Sequence, residues 1–186
     1  MQKKSGINVK KTTVTLTVLA VLTALQVVIS MFCTIKTQAI NITLTFIPVV
    51  IAAKLYGASG AGLVAGLGDI IGWIIHPLGA LFPPITLTTI LCGMIFGFFL
   101  ERKTKLIFIL IPVLITQLVF STFVTPLWLS ILYPSKYSYS LLLVTRIPQI
   151  AVMIAVELIM IPFILKALER VNLNNLFEGR KLAETK

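Results

Sequence analysis

Residues 12–32 read TTVTLTVLAVLTALQVVISMF, twenty-one positions without a charge. A helix of that length rises about 30 Å, which matches the hydrocarbon core of a bilayer. Lys3, Lys4, Lys10 and Lys11 precede the run, as in a signal peptide. No soluble domain is expected after it, so the run is read as a retained first span. The rest of the chain has the same character. Of 186 residues, 58% are apolar and only 12% charged, and the mean hydropathy is +1.02. A soluble domain of this size buries about 70% of its unfolded surface, too little to hide so much apolar area. This excludes a soluble enzyme, a nucleic-acid-binding domain and a disordered regulator. Lipid must be the solvent for most of the chain.

Five more apolar runs follow. Residues 42–56 form a short span with Pro48 inside, expected to kink there, and Lys54 near its end. Residues 58–75 and 83–100 come next, the latter with prolines in its first turn, where a missing N–H costs nothing. Residues 106–128 carry Pro112 and Pro126, and residues 141–168 carry Pro148 and Pro162. Six spans put both termini on one side. On that side fall Lys3, Lys4, Lys10, Lys11, Lys54, Arg102, Lys103, Lys105, Lys166, Arg170, Arg180, Lys181 and Lys186, which is 13 of the 16 cations. Lys36, Lys136 and Arg146 fall on the other. The positive-inside rule then makes the terminal side cytoplasmic, whereas five or seven spans would scatter the cations. It also accounts for most of the net charge of +10 without a nucleic-acid partner. The expected fold is an all-α membrane protein, a compact bundle of six transmembrane helices with both termini cytoplasmic. Residues 1–11 form a basic N-terminus, 12–170 the six-helix domain and 171–186 a polar tail.

Few residues in the spans can carry chemistry. Asp69 is an acid within a span, which costs about 2.5–3.5 kcal/mol on insertion scales and should face the bundle interior. Helical spacing places it with Ala65, Gly66, Trp73 and His76. That face offers room, an aromatic ring and polar groups, and favours a ligand contact over an ion pair or helix cap. Arg146 shares a stripe with Gln149, Ile150, Met153 and Glu157. Snorkelling to headgroups is its alternative role. Glu157 lies about 16 Å deeper by helix rise and is read as a buried structural group. Trp128 and Tyr133 close the fifth span, where an interfacial aromatic belt also wants them. Lys36 and Lys136 lie in the two outer loops. Cys33 and Cys92 are about 60 positions apart in apolar stretches, so neither a disulfide nor a metal framework is implied. With a single histidine and two acids in the spans, no metal site or catalytic array can be assembled.

Small residues mark close packing. Ala58, Gly62 and Gly66 repeat every four positions, as do Gly93 and Gly97. The Gly57–Gly62 stretch lacks the Gly-Lys-Ser/Thr ending of a phosphate loop. Ala20 and Ala24 form a small-xxx-small pair on the first span, suited either to packing inside the monomer or to docking another membrane protein.

Several stretches, taken in order, resemble the S components of energy-coupling factor (ECF) vitamin transporters, most closely the folate-specific branch. They are the Ala20–Ala24 pair, ITLTFIP at 42–48, LYG at 55–57 and GLGDIIG at 66–72, followed by FPPITLT at 82–88, GMIFG at 93–97, WLSILY at 128–133 and RIPQ at 146–149. With the six short spans that hold them, the likeness extends over about residues 12–170. The resemblance implies a subunit of the bacterial cell membrane that is not an enzyme and binds a vitamin from outside with no cofactor. It joins a transmembrane coupling protein (EcfT) and two cytoplasmic ATPases (EcfA and its homologue), and topples in the membrane when ATP is hydrolysed. It also implies that Ala20 and Ala24 meet the coupling protein. The pocket would form near the outer face from the fourth to sixth spans and the outer loops, with the third contributing. In one outer loop, Lys36 stands where the folate branch is expected to carry an arginine.

The charges narrow the ligand. Lys36, Lys136 and Arg146 against Asp69 favour an anion. Folate, or a reduced folate, has two carboxylates for the cations and a pterin edge whose N–H groups suit Asp69. Its rings can stack on Trp128 or Trp73. The expected substrate-binding residues are thus Asp69, Arg146, Trp128, Gln149, Lys36, Trp73, His76 and Lys136. Thiamin is cationic and riboflavin uncharged. Pantothenate carries a carboxylate but no flat edge for Asp69. An S component for one of these vitamins, or a structural membrane protein that transports nothing, is the alternative.

Overall fold

The computed structural model describes residues 3–32, 34–36, 41–75, 83–101, 106–132 and 139–170. In chain order these form α1 (Lys3–Phe32), β1 (Thr34–Lys36), β2 (Asn41–Thr43), α2 (Phe46–Ile75), α3 (Pro83–Leu100) and α4 (Leu106–Leu114). A π-helix (Ile115–Val124), α5 (Thr125–Leu132) and α6 (Tyr139–Arg170) complete the set. Among the described residues, five helical stretches are long and apolar enough to cross a membrane: Thr12–Phe32, Phe46–Ile75, Pro83–Leu100, Leu106–Leu132 and Leu142–Arg170. Phe98, Ile159 and Phe163 are each more than 70% exposed, a liability in water and the expected surface in lipid. The tail at 171–186 lies outside the described residues.

α2 is two arms rather than one rod. Gly57 sits at φ 68°, ψ −154°, a backbone conformation that side-chain-bearing residues rarely adopt, and breaks the helix there. On one side, α1 packs along the 58–75 arm with Leu19 beside Gly60, Gln26 against Gly68 and Ser30 beside Gly72. Residue numbers rise together, so α1 and this arm are parallel. On the other side, α3 packs with Gly97 against Ala58, Gly93 against Ala61 and Ile90 against Gly66. Here the numbers run in opposite senses, so the pair is antiparallel. A side chain at Gly93 would begin 2.7 Å from the Ala61 carbonyl oxygen, and one at Gly97 would overlap the Ala58 backbone. The two stripes touch directly where Gly97 meets Ala58; Gly93 meets Ala61 and Ala65, while Gly62 and Gly66 make room for Met94 and Ile90. Val50, Ala52, Ala53, Val64, Leu100, Val113 and Ile161 form the fully buried centre.

Two expectations change. The chain is not helical from residue 42. Thr34↔Thr43, Ile35↔Ile42 and Lys36↔Asn41 pair as an antiparallel ribbon, the one departure from an all-α fold among the described residues. α2 begins at Phe46, which puts Pro48 in the first turn, where its missing N–H is harmless. The break falls instead at Gly57. Residues 106–128 are a helix, but it continues to Leu132 and widens to π geometry between Pro112 and Pro126. In the widened stretch the hydroxyls of Thr122 and Thr125 donate to the carbonyls of Gln117 and Phe120, both five residues back and both at 2.9 Å.

Candidate ligand site at the ribbon end of the bundle

α1 and the 58–75 arm finish, and α3 begins, at the end of the bundle that carries the ribbon. Asp69 lies near this end, half-buried, and accepts a hydrogen bond from Thr86 Oγ1 at 2.8 Å. Two residues further along α3, Thr88 Oγ1 donates to the Pro84 carbonyl at 2.8 Å and accepts from Trp128 Nε1 at 3.2 Å. A hydroxyl has one proton and two lone pairs. Spending its proton on the backbone turns a lone pair toward the indole. The opening turns of α3 thus tie the Asp69 carboxylate on one side and the Trp128 ring on the other. Both threonines closely follow Pro83 and Pro84, which start the helix.

Arg146 approaches from α6. It is half-buried, and its Nη1 donates to the Ser121 carbonyl at 3.4 Å, a long bond to the π-helical stretch. Gln149, one turn on, is 7% exposed and sits inside the bundle. Deeper on the same stripe, Glu157 is 3% exposed and accepts from Gln117 Nε2 at 2.6 Å. That short bond gives Glu157 a structural partner, in keeping with its expected buried role. Trp73, one turn beyond Asp69, is half-buried.

The geometry brings Asp69, Trp128 and Arg146 onto elements that share polar contacts at or toward the ribbon end. The backbone of Lys36 belongs to β1, and β2 lies against α6. The side chain of Lys36, and all of His76 and Lys136, lie outside the described residues. Ala20 and Ala24 are exposed on α1, while Leu22, Thr23, Gln26 and Val27 face inward. Among the described residues no three His, Cys, Asp or Glu side chains group as a metal site. Thr86, Thr88, Ser121 and Gln117 escape a reading by charge. The available signal is polarity in an apolar run: two hydroxyls after a Pro-Pro pair, and an amide in the middle of a span.

A half-buried acid, an indole and an arginine, tied by hydrogen bonds among helices that are otherwise apolar, define a small multi-pass membrane protein of the ligand-binding kind. The chain belongs to the family described as "ECF-type riboflavin transporter, S component", which it matches over residues 10–170. That is a family of transporter subunits, not of enzymes. It is 31% identical over 158 residues to the folate transporter FolT of Clostridium novyi, covering 84% of this chain and 91% of that protein. To the folate transporter FolT of Leuconostoc mesenteroides it is 27% identical over 134 residues, 71% of this chain and 72% of that protein. A solved structure of FolT bound with folic acid superposes with a TM-score of 0.73 at 27% identity, covering 80% of this chain and 89% of that one.

Proposed function

We propose that this chain is the folate-binding S component of an ECF transporter. The observation that carries the reading is its likeness to FolT along nearly the full length of both chains, at the level of sequence and of fold. The polar end supports it chemically. Asp69 suits the paired N–H groups of a pterin, Trp128 and Trp73 offer faces for its rings, and Arg146 with Lys36 and Lys136 suits its carboxylates. Gln149 and His76 complete the proposed lining. The family's description names riboflavin, which is the second reading. Riboflavin is uncharged and has no use for three cations at one end.

The proposed topology has six spans, the two arms of α2 each crossing once. Its support is the Gly57 break together with the parallel course of α1 and the 58–75 arm. Phe46 follows the ribbon, and Ile75 ends near it, so the two arms leave and return at one end. The 13-to-3 split of cations supports cytoplasmic termini and an outward ribbon end, in a bacterial plasma membrane. The proposed partners are a transmembrane coupling protein and two cytoplasmic ATPases, with Ala20 and Ala24 as the docking pair. Their exposure on α1 is what docking requires.

Mass spectrometry of the small molecule that co-purifies with the detergent-solubilised protein tests the reading. A folate is expected. Riboflavin or another vitamin would transfer the chain to a different branch of the family.

A further inference from the structure

The π-helix stops for a definable reason. Within it each N–H reaches the carbonyl five residues back, and the last such bond runs from Thr125 N–H to Phe120 O. The next would run from residue 126 to Ser121 O, but residue 126 is proline and has no N–H. In lipid a freed carbonyl must find another donor. The donor is Arg146, whose Nη1 points at Ser121 O from the neighbouring helix. Pro126 is itself fully buried. A carbonyl not drawn along its own helix axis tilts outward and presents a lone pair sideways.

We infer that Pro126 is a positioning residue for Arg146: by withholding an N–H from Ser121 O, it leaves the carbonyl that holds the guanidinium at the ligand site. Arg146 keeps four other N–H donors for a ligand carboxylate. The inference rests on the proposed role of Arg146 as an anchor for the carboxylate end of folate. An N–H at 126 that continues the π register closes the next bond, to Ser121 O, and weakens the hold on Arg146.

The test compares folate with a pterin that lacks the aminobenzoyl-glutamate tail, by calorimetry on purified Pro126→Ala and Pro126→Val proteins. Two variants are used because they share the restored N–H and differ in side chain. If one does not fold, the other carries the test. Folate binding is expected to weaken about tenfold, the scale of one hydrogen bond to a charged group, while binding of the pterin is unchanged. In an Arg146→Ala background, Pro126→Ala should have no further effect. Equal weakening of both ligands, or the full loss reappearing in the Arg146→Ala background, would overturn the inference alone. An Arg146→Ala protein that binds folate as tightly as the parent would overturn both the inference and the assigned role of Arg146.

Discussion

The α2–α3 pair and the α4–α6 side of the bundle are built on opposite principles. α2 and α3 meet backbone to backbone through Ala58, Ala61, Gly93 and Gly97, with Ile90 lying over Gly66, and nothing larger fits at Gly97. The other side is held by polar links that reach across wider gaps: Gln117 to Glu157, Arg146 to Ser121, Trp128 to Thr88. Contact between small residues is short-ranged and leaves one geometry. Side-chain links span several ångströms and can be remade. A bundle that must hold a ligand at one end benefits from having one half fixed and one half adjustable. The candidate site lies along the seam, where the start of α3 carries Thr86 toward Asp69 and Thr88 toward Trp128.

Mutations can break this contrast. The largest effect is expected deep in the polar half. Gln117→Leu strands a buried carboxyl group, and leaving a buried polar group without its partner costs about 1–3 kcal/mol, and more when the group is charged. Thermal unfolding in detergent should show the loss, and the double change to Leu at 117 and 157 should recover most of it. A double variant as unstable as the single one would mean that the link matters for more than pairing. Asp69→Asn is expected to weaken folate binding by about 2–5 kcal/mol, the usual cost at a charged pair, with little change in the melting temperature. A normal affinity in that variant would remove Asp69 from the site.

In the fixed half, Gly97→Ala should destabilise by about 1–3 kcal/mol through overpacking against Ala58. The same one-carbon change at Ser59, which is exposed, should be near neutral when made as Ser59→Thr. Equal melting temperatures for the two would mean that the α2–α3 contact is not tight. The smallest effect on the isolated protein is expected at the exposed pair. Ala24→Trp or Ala20→Trp should leave ligand binding intact and abolish uptake and complex assembly. Loss of binding in these variants would show instead that the pair is needed within the monomer.

The fixed half was largely legible in the sequence, because close packing demands small residues at a period of four and few other causes produce that pattern. The stripes at 58–66 and 93–97 mark both helices as closely packed, though not which residues each one meets. Asp69 and Arg146 stood out for a similar reason, since an ionised group in lipid is costly and rarely idle. The polar links were not legible. Thr86, Thr88 and Gln117 carry no charge, and whether a hydroxyl serves its own backbone or a neighbouring helix depends on packing. The π-helical stretch left no signal beyond its two bracketing prolines. Residues 42–45 read as helix because they continue an apolar run, yet Ile42, Thr43 and Thr45 are β-branched and suit a strand as well. Pro48 drew attention as a kink, although the backbone turns at Gly57, where a positive φ is needed.

The central claim is that the polar end of this bundle receives a folate. Isothermal calorimetry on the purified full-length protein, with folate and riboflavin titrated separately, tests it most directly. The account predicts saturable folate binding at or below micromolar concentration, one ligand per chain, and no heat from riboflavin. Tight binding of riboflavin with none of folate would contradict it.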